Sequence, residues 1–278
     1  MVVAVAGVGM GPSPAAAAAD PSPTLAALER EQTALYTKIA PSVVFISSAA
    51  GFGSGFFVSE RGHILTNRHV VEGIDTVRVV THDGRKIDGK VVARGDDGLD
   101  VALIKIDATE TPRLQIISSN DVPIGAWVGS VGHGRGGIWT FSSGLVSNLW
   151  GDARTHGVLQ TQIPLNPGAS GGPVFDRTGA VIGIVTAGIV DAQAINFAIR
   201  TDTAVQGLGA LCQLSECMLV ETERGAAVQL DGHFVGKGPR LALLPSAGAH
   251  VLSTIIDGKR IRHEVSWPRE RTVDLRAP

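Results

Sequence analysis

The sequence predicts an all-β protein: one large barrel or sandwich region, followed by a second, smaller β unit. Three observations carry this. Runs of four to eight residues rich in valine, isoleucine and threonine recur from Val43 to about Ile199, broken by Gly, Asp and Asn. Glycine is abundant, 35 of 278 residues, which suits many tight turns. The strand-and-turn pattern then resumes at Met218 and continues to the end. At 44% hydrophobic and 18% charged, the composition is that of a packed chain. The formal net charge is −2 and the Lys and Arg residues are scattered, which argues against a nucleic-acid partner. No run of about 18 uncharged apolar residues follows the N-terminus, so no internal membrane span is expected.

Taken in order, residues 2–10 form a short apolar core and Ala15–Ala19 supply small residues before Asp20. This looks like the later part of a secretory signal peptide, although no Lys or Arg precedes the apolar stretch. Residues 1–20 are therefore read as a leader, with a flexible Ala/Pro segment as the alternative. The chain is expected to be exported to the periplasm, the cell envelope or the outside. In "SPTLAALEREQTALYTKI", Ser22 can cap a helix with Pro23 at its first position. Leu25, Leu28, Leu35 and Ile39 follow helical spacing, and Pro41 ends the helix.

The strands of the large region are "VVFIS", "GFFVS", "TVRVVTH", "KVVARG", "VALIKI", "WVGSVG", "GLVSNLW", "GVLQTQI", "VIGIVTA" and "AINFAI". "TDTAVQGLGALCQL" (201–214) reads as one helix packing back on them. The expected division is 21–214 for the first domain and 218–278 for the second. Cys212 and Cys217 lie at the junction and enclose four residues. With export, a small disulfide-closed loop is the favoured reading. A metal pair would need two further ligands, and no nearby His supplies them.

Three stretches carry chemistry. Nucleophilic acyl transfer needs a hydroxyl, an imidazole to take its proton, a carboxylate to orient the imidazole, and donors for the oxyanion. In "GFGSGFFVSERGHILTNRHVVEG" (51–73), His69 opens a short helical turn after two strands. Alone it reads more readily as a capping or half-buried core histidine. In "DDGLDVALIKID", Asp100 directly precedes an apolar strand, where a carboxylate needs a partner. Asp96 and Asp97 look solvated. In "NPGASGGPVF" (166–175), Gly168 and the pair Gly171–Gly172 allow positive φ around Ser170, so the N–H groups of Gly168 and Ser170 can point at one oxygen. Alone, this string reads more readily as a tight turn entering a strand. The order His69, Asp100, Ser170 is that of chymotrypsin-like proteases. His63, His82, His156, His233, His250 and His263 sit in turn or alternating-strand contexts and read as surface or structural. No metal spacing is found, and neither a metal nor a cofactor is called for.

Together, "GFGSGFFVSERGHILTNRHVV", "DVALIKI", "QTQIPLNPGASGGPVFDRTGAVIGI" and "INFAI" resemble the HtrA/DegP group of trypsin-like serine proteases over residues ~40 to ~205. The resemblance implies a chymotrypsin-like double β-barrel, with His69 and Asp100 on the first barrel, Ser170 on the second, and the site between them. It also implies protein or peptide substrates, with quality control of unfolded or damaged envelope proteins as a common role, and a homo-oligomer, often a trimer. Three positions depart from the group's pattern: Ala169 stands where Asn is usual, Gln162 where Asp is common, and "GHGRGG" (132–137) replaces a Gly-Asn-Pro stretch. His133, in that stretch, is expected in a surface loop or near the substrate cleft. A protease-fold binding or sensor protein without turnover is the competing reading.

Six residues before Ser170, where trypsins carry a pocket Asp, stands Pro164, with Ile163 and Leu165 beside it. "GIVTAG" (Gly183, Ile184, Val185, Thr186, Ala187, Gly188) is expected to form the far wall and the edge that pairs with an extended substrate. A small or medium apolar side chain at the cleavage position follows. In place of the PDZ domain usual in the group, residues 225–275 resemble a PEGA-type module: Gly-Ala-x-Val-x-Leu-Asp-Gly-x-x-Val-Gly, then Pro239, then Leu-Pro with Gly248 and His250. Such modules look like small β-sandwiches of envelope proteins, which implies an envelope or cell-surface ligand. A structural cap on the protease is the alternative.

Overall fold

In the computed structural model, residues 23–49, 51–96, 98–134, 139–150, 157–188 and 195–276 are described. The expected leader, Ser22, Asp97 and His156 lie outside them. The chain divides into two units, Met1–Ala34 and Leu35–Pro278. Helix α1 (Pro23–Ile39) begins in the first and ends in the second, where Ile39 is fully buried. A three-residue turn carrying Pro41 closes it, since proline cannot continue the helical ladder. No helix among the described residues is long and apolar enough to cross a membrane.

Six strands, β1 (Val43–Ser48), β2 (Gly51–Phe57), β3 (His63–Thr66), β4 (Thr76–Val80), β5 (Lys86–Arg94) and β6 (Ala102–Ile106), close a barrel in the order β1-β2-β3-β6-β5-β4. Period-two alternation sends one face inward: Val44, Ile46, Ile64, Val77, Val79, Ile104 and Ile106 fill it. A second barrel has the order β10-β11-β12-β9-β8-β7. Its strands are β7 (Trp127–Gly132), β8 (Thr140–Trp150), β9 (Val158–Thr161), β10 (Pro173–Phe175), β11 (Val181–Gly188) and β12 (Asn196–Arg200). Val128, Val146, Leu159, Val174, Ile182 and Ala198 pack inside it. The opposite strand faces meet in a third core, where Phe56, Leu65 and Leu103 of the first barrel join Val131, Phe175 and Ile184 of the second.

The segment read as one helix is two: α2 (Thr201–Gly207) and α3 (Gly209–Leu214), broken at Leu208 (φ −119°, ψ 82°). The break lets Leu208 turn into the core. Gly207 lies beside it, against Leu99, whose Cδ2 would have to move for any side chain to fit there. Asp202 in α2 is 8% exposed, and its carboxylate accepts from Ser118 Oγ, Ser119 N, Ser119 Oγ and Asn120 Nδ2. It fastens the link between the barrels to the helix. Asp202→Ala would leave the buried N–H and hydroxyl of Ser119 without this acceptor and release Ser118 and Asn120, and is expected to cost about 3 kcal/mol, read as a fall of roughly 10 °C in melting temperature.

Cys212 and Cys217 form a disulfide with a Cα–Cα separation of 5.4 Å. The C-terminal strands pair as two sheets. One has the order β16-β13-β19, from β13 (Met218–Glu221), β16 (Arg240–Leu243) and β19 (Thr272–Asp274). The other has the order β15-β14-β17-β18, from β14 (Ala227–Leu230), β15 (His233–Lys237), β17 (Gly248–Ile256) and β18 (Lys259–Trp267). Val220, Leu243 and Val273 of the first meet Val228, Leu252, Val265 and Trp267 of the second, so the fold is a chymotrypsin-like double barrel followed by a small sandwich. Ala242 and Leu244 of this part, with Leu211, Cys212 and Cys217, share a core with the barrels.

Candidate active site

His69 begins a single helical turn (His69–Val71) directly after β3, with Val70 and Val71 buried behind it. Its ring is left half exposed, the side chain at 51%. Asp100 precedes β6, which pairs with β3, so the two residues emerge at the same end of neighbouring strands. His69 Nδ1 lies 2.8 Å from Asp100 Oδ2, and the His69 backbone N–H donates to Asp100 Oδ1 at 2.9 Å. A carboxylate can only accept, so Nδ1 carries the ring proton and Nε2 is left as a base. Asn67, fully buried, donates to the Asp100 carbonyl at 2.8 Å and braces the same corner.

A third donor to the carboxylate comes from the other barrel: Thr186 Oγ1 reaches Asp100 Oδ2 at 2.8 Å. Burial alone would push the Asp100 carboxyl up. The hydrogen bonds from the His69 side chain, the His69 N–H and Thr186 outweigh it and hold the group below its ordinary value of 3.8. Thr186 also touches Ser170, whose Oγ donates to the Thr186 carbonyl at 3.1 Å. All three residues named from the sequence therefore meet around Thr186. The His69 and Ser170 segments meet again at Gly53, where a Cβ would lie 2.7 Å from Val70 Cγ2 and 3.2 Å from the Ser170 carbonyl oxygen.

The turn around Ser170 needs its glycines. Gly168 has φ +100° and Gly171 φ +85°. A Cβ at Gly171 would collide with Ser54 O and Thr66 Oγ1, and one at Gly168 would lie 2.5 Å from His133 O and 2.6 Å from the Phe52 ring. Within the turn, Ala169 N donates to Asn166 O and Gly171 N to Val185 O, both at 2.9 Å. Among the described residues, no acceptor takes the N–H of Gly168 or that of Ser170. Two unspent donors two residues apart, on a loop with both flanks bonded, are what an oxyanion would require.

The expected pocket is only partly assembled. Ile184 and Val185 do not line it: both side chains are in the cores, and the Val185 N–H and C=O are taken by Gly172 and Gly171. The strand is buried on both faces there, and its outer hydrogen-bonding edge is taken up by the turn around Ser170. Ala187 and Gly188 continue β11, the Ala187 side chain lying outside the described residues. Pro164 is exposed and Leu165 half-buried, while Ile163 is fully buried.

His133 is not on a surface loop. It is 1% exposed, between Phe45 (ring centroids 5.3 Å) and Trp139 (4.7 Å). Burial pushes its imidazole down to about 4, so it is neutral at physiological pH. The reason is its partner: Ser54 of β2 takes the His133 N–H on its hydroxyl at 3.0 Å and draws the residue inward. Neither Ser54 nor the hydroxyl of Thr186 stands out in the sequence as part of a site. Both are small polar residues in strand patterns, and their partners lie 79 to 114 positions away.

Residues 53–184 match the trypsin-like peptidase domain. A serine protease described as HhoB, from Synechocystis, is 40% identical over 161 residues, which are 55% of this chain and 38% of that protein. A DegP-like periplasmic serine endoprotease of Halomonas elongata is 42% identical over 136 residues, 48% of this chain and 28% of the relative. The chain thus spans about a third of the length of these curated relatives. Among solved structures, the HtrA-type protease AlgW, determined with a decapeptide, superimposes with a TM-score of 0.60 at 20% identity, over 84% of this chain and 97% of that one. Deg5 does so with a TM-score of 0.56 at 32% identity, over 64% of this chain and 92% of its own. On the Deg5 and DegP-like sequence matches, carried on this double barrel, the chain belongs to the HtrA/DegP group of trypsin-like serine proteases.

Proposed function

We propose that the protein is an exported serine endopeptidase that cleaves peptide bonds through an acyl-enzyme. Ser170 attacks the carbonyl, His69 takes and later returns the proton, Asp100 holds His69 in its tautomer, and the Gly168 and Ser170 amides receive the oxyanion. The observation that carries this is the Asp100 carboxylate, which takes both N–H groups of His69 and leaves Nε2 bare, on a corner that shares Thr186 with Ser170. Export is supported by the periplasmic relatives and by the Cys212–Cys217 disulfide. Peptide substrates are supported by the decapeptide held by AlgW. The exposed Pro164 and half-buried Leu165, with no charged residue next to them in the sequence, support an apolar residue at the cleavage position. Within this reading, residues 21–214 form the protease, residues 218–278 a PEGA-like module with an envelope ligand, and the assembly is a homotrimer as the resemblance implies.

One observation favours a second reading, a binding protein or a latent enzyme: Ser170 Oγ donates to Thr186 O, and not to His69. A fluorophosphonate probe separates the two. Stoichiometric labelling at Ser170 is expected, and a chain that stays unlabelled under conditions where it is folded supports the second reading.

A further inference from the structure

Ser54 makes two hydrogen bonds to the loop around Ser170 and two to His133. Its backbone N–H donates to Ser170 O at 2.8 Å, and its hydroxyl donates to Gly168 O at 2.8 Å. The same hydroxyl lies 3.0 Å from the His133 N–H and 3.1 Å from His133 Nδ1. One residue of the first barrel thus pins the carbonyls of the two residues whose N–H groups are unspent. The peptide from Gly168 to Ala169 is held at both ends, by Ser54 at its carbonyl and by Asn166 at its N–H. Through the Gly168 dihedrals, with φ +100°, holding that peptide restrains the direction of the Gly168 N–H.

A hydroxyl has one proton and two lone pairs. If Ser54 gives its proton to Gly168 O, its hydroxyl can only accept from the two His133 nitrogens beside it. The His133 backbone N–H donates, and Nδ1 donates only if it carries the ring proton. The opposite tautomer would make Nδ1 an acceptor that competes with Gly168 O for the single Ser54 proton. Nε2 agrees with the first arrangement: it is buried, with no hydrogen-bond partner among the described residues, and a bare lone pair there strands no donor. A proton on it would be stranded between Phe45 and Trp139.

We propose that Ser54 and His133 form a positioning pair that sets the oxyanion loop, with neutral His133, protonated on Nδ1, directing the Ser54 hydroxyl to Gly168 O. This rests on the catalytic reading above and deepens it. Neither residue touches substrate; the pair acts through Gly168.

The test uses the full chain and compares kcat and KM on a chromogenic peptide for wild type, Ser54→Ala, His133→Leu and His133→Asn. Ser54→Ala and His133→Leu are expected to lower kcat about 30-fold with KM nearly unchanged, since the donors act on the developing oxyanion and not on the bound ground state. His133→Asn can place an amide N–H where Nδ1–H stood, and is expected to recover kcat to within about threefold of wild type. Nitrogen-detected NMR on the Ser170→Ala protein, where no turnover is involved, should show His133 with Nδ1 protonated and Nε2 bare. Wild-type kcat in folded Ser54→Ala, or a ring protonated on Nε2, overturns the proposal alone. A folded wild-type chain that neither labels nor hydrolyses peptide overturns the catalytic reading instead. Should Ser54→Ala not fold, the contrast between His133→Leu and His133→Asn decides: equal kcat in the two overturns the pair.

Discussion

Ser170→Ala is expected to abolish peptide hydrolysis while leaving the fold intact. Removing the nucleophile from a Ser-His-Asp arrangement lowers kcat by about 10⁶, leaving what the oxyanion donors and substrate binding supply alone. The structural cost is small because Ser170 is only half-buried and its hydroxyl makes one bond, to Thr186 O. That bond is worth about 1 kcal/mol net, so the melting temperature should move by no more than a few degrees. The turn itself depends on Gly168, Gly171 and the backbone bonds of Ala169 and Ser170, all of which survive the substitution. Peptidase assay and differential scanning calorimetry on the same sample check both halves. Activity equal to wild type would remove Ser170 from the mechanism.

Asp100→Asn should retain substrate binding yet lower kcat by about 10⁴, because an amide NH₂ facing Nδ1 favours the wrong imidazole tautomer. Here stability changes too. The carboxylate satisfies three donors, from His69 twice and Thr186 once, and an amide oxygen with one NH₂ can satisfy only some of them. The sign of the pH dependence follows from the lowered Asp100 pKa. A carboxyl held below its unfolded value stabilises the fold at any pH above that value, and the contribution is lost as pH falls through the folded one. The gap in melting temperature between wild type and Asp100→Asn should therefore be full at pH 7 and shrink as the pH drops below about 4. A gap that grows on acidification would mean that the carboxylate is not stabilised by these donors.

The chain reads well where local constraints are strong. The strands around His69 and Asp100 announce themselves as short apolar runs rich in isoleucine and valine, and the loop around Ser170 by glycines at positive φ whose added Cβ would meet backbone. The seven C-terminal strands appear where the pattern resumes at Met218. The reading falters where the deciding neighbour is distant in sequence. Ile184 and Val185 sit in a strand whose two faces are both buried, so alternation cannot tell a pocket wall from a core. Residues 201–214 read as one helix, but Gly207 and Gly209 are poor helix formers, and the chain breaks between them where Leu208 is buried.

By itself the sequence determined the all-β class, the order of His69, Asp100 and Ser170, and the glycines that make the last turn. These follow from local periodicity, backbone sterics and chain order, while the double barrel came from the resemblance to the HtrA/DegP group. Only the tertiary structure decided that Thr186 of the second barrel would bond Asp100 of the first, and that Ser54 and a buried His133 would hold the loop. The reason is physical: hydrogen bonds between residues 79 to 114 positions apart depend on where two closed barrels place their ends, and no local pattern encodes that distance.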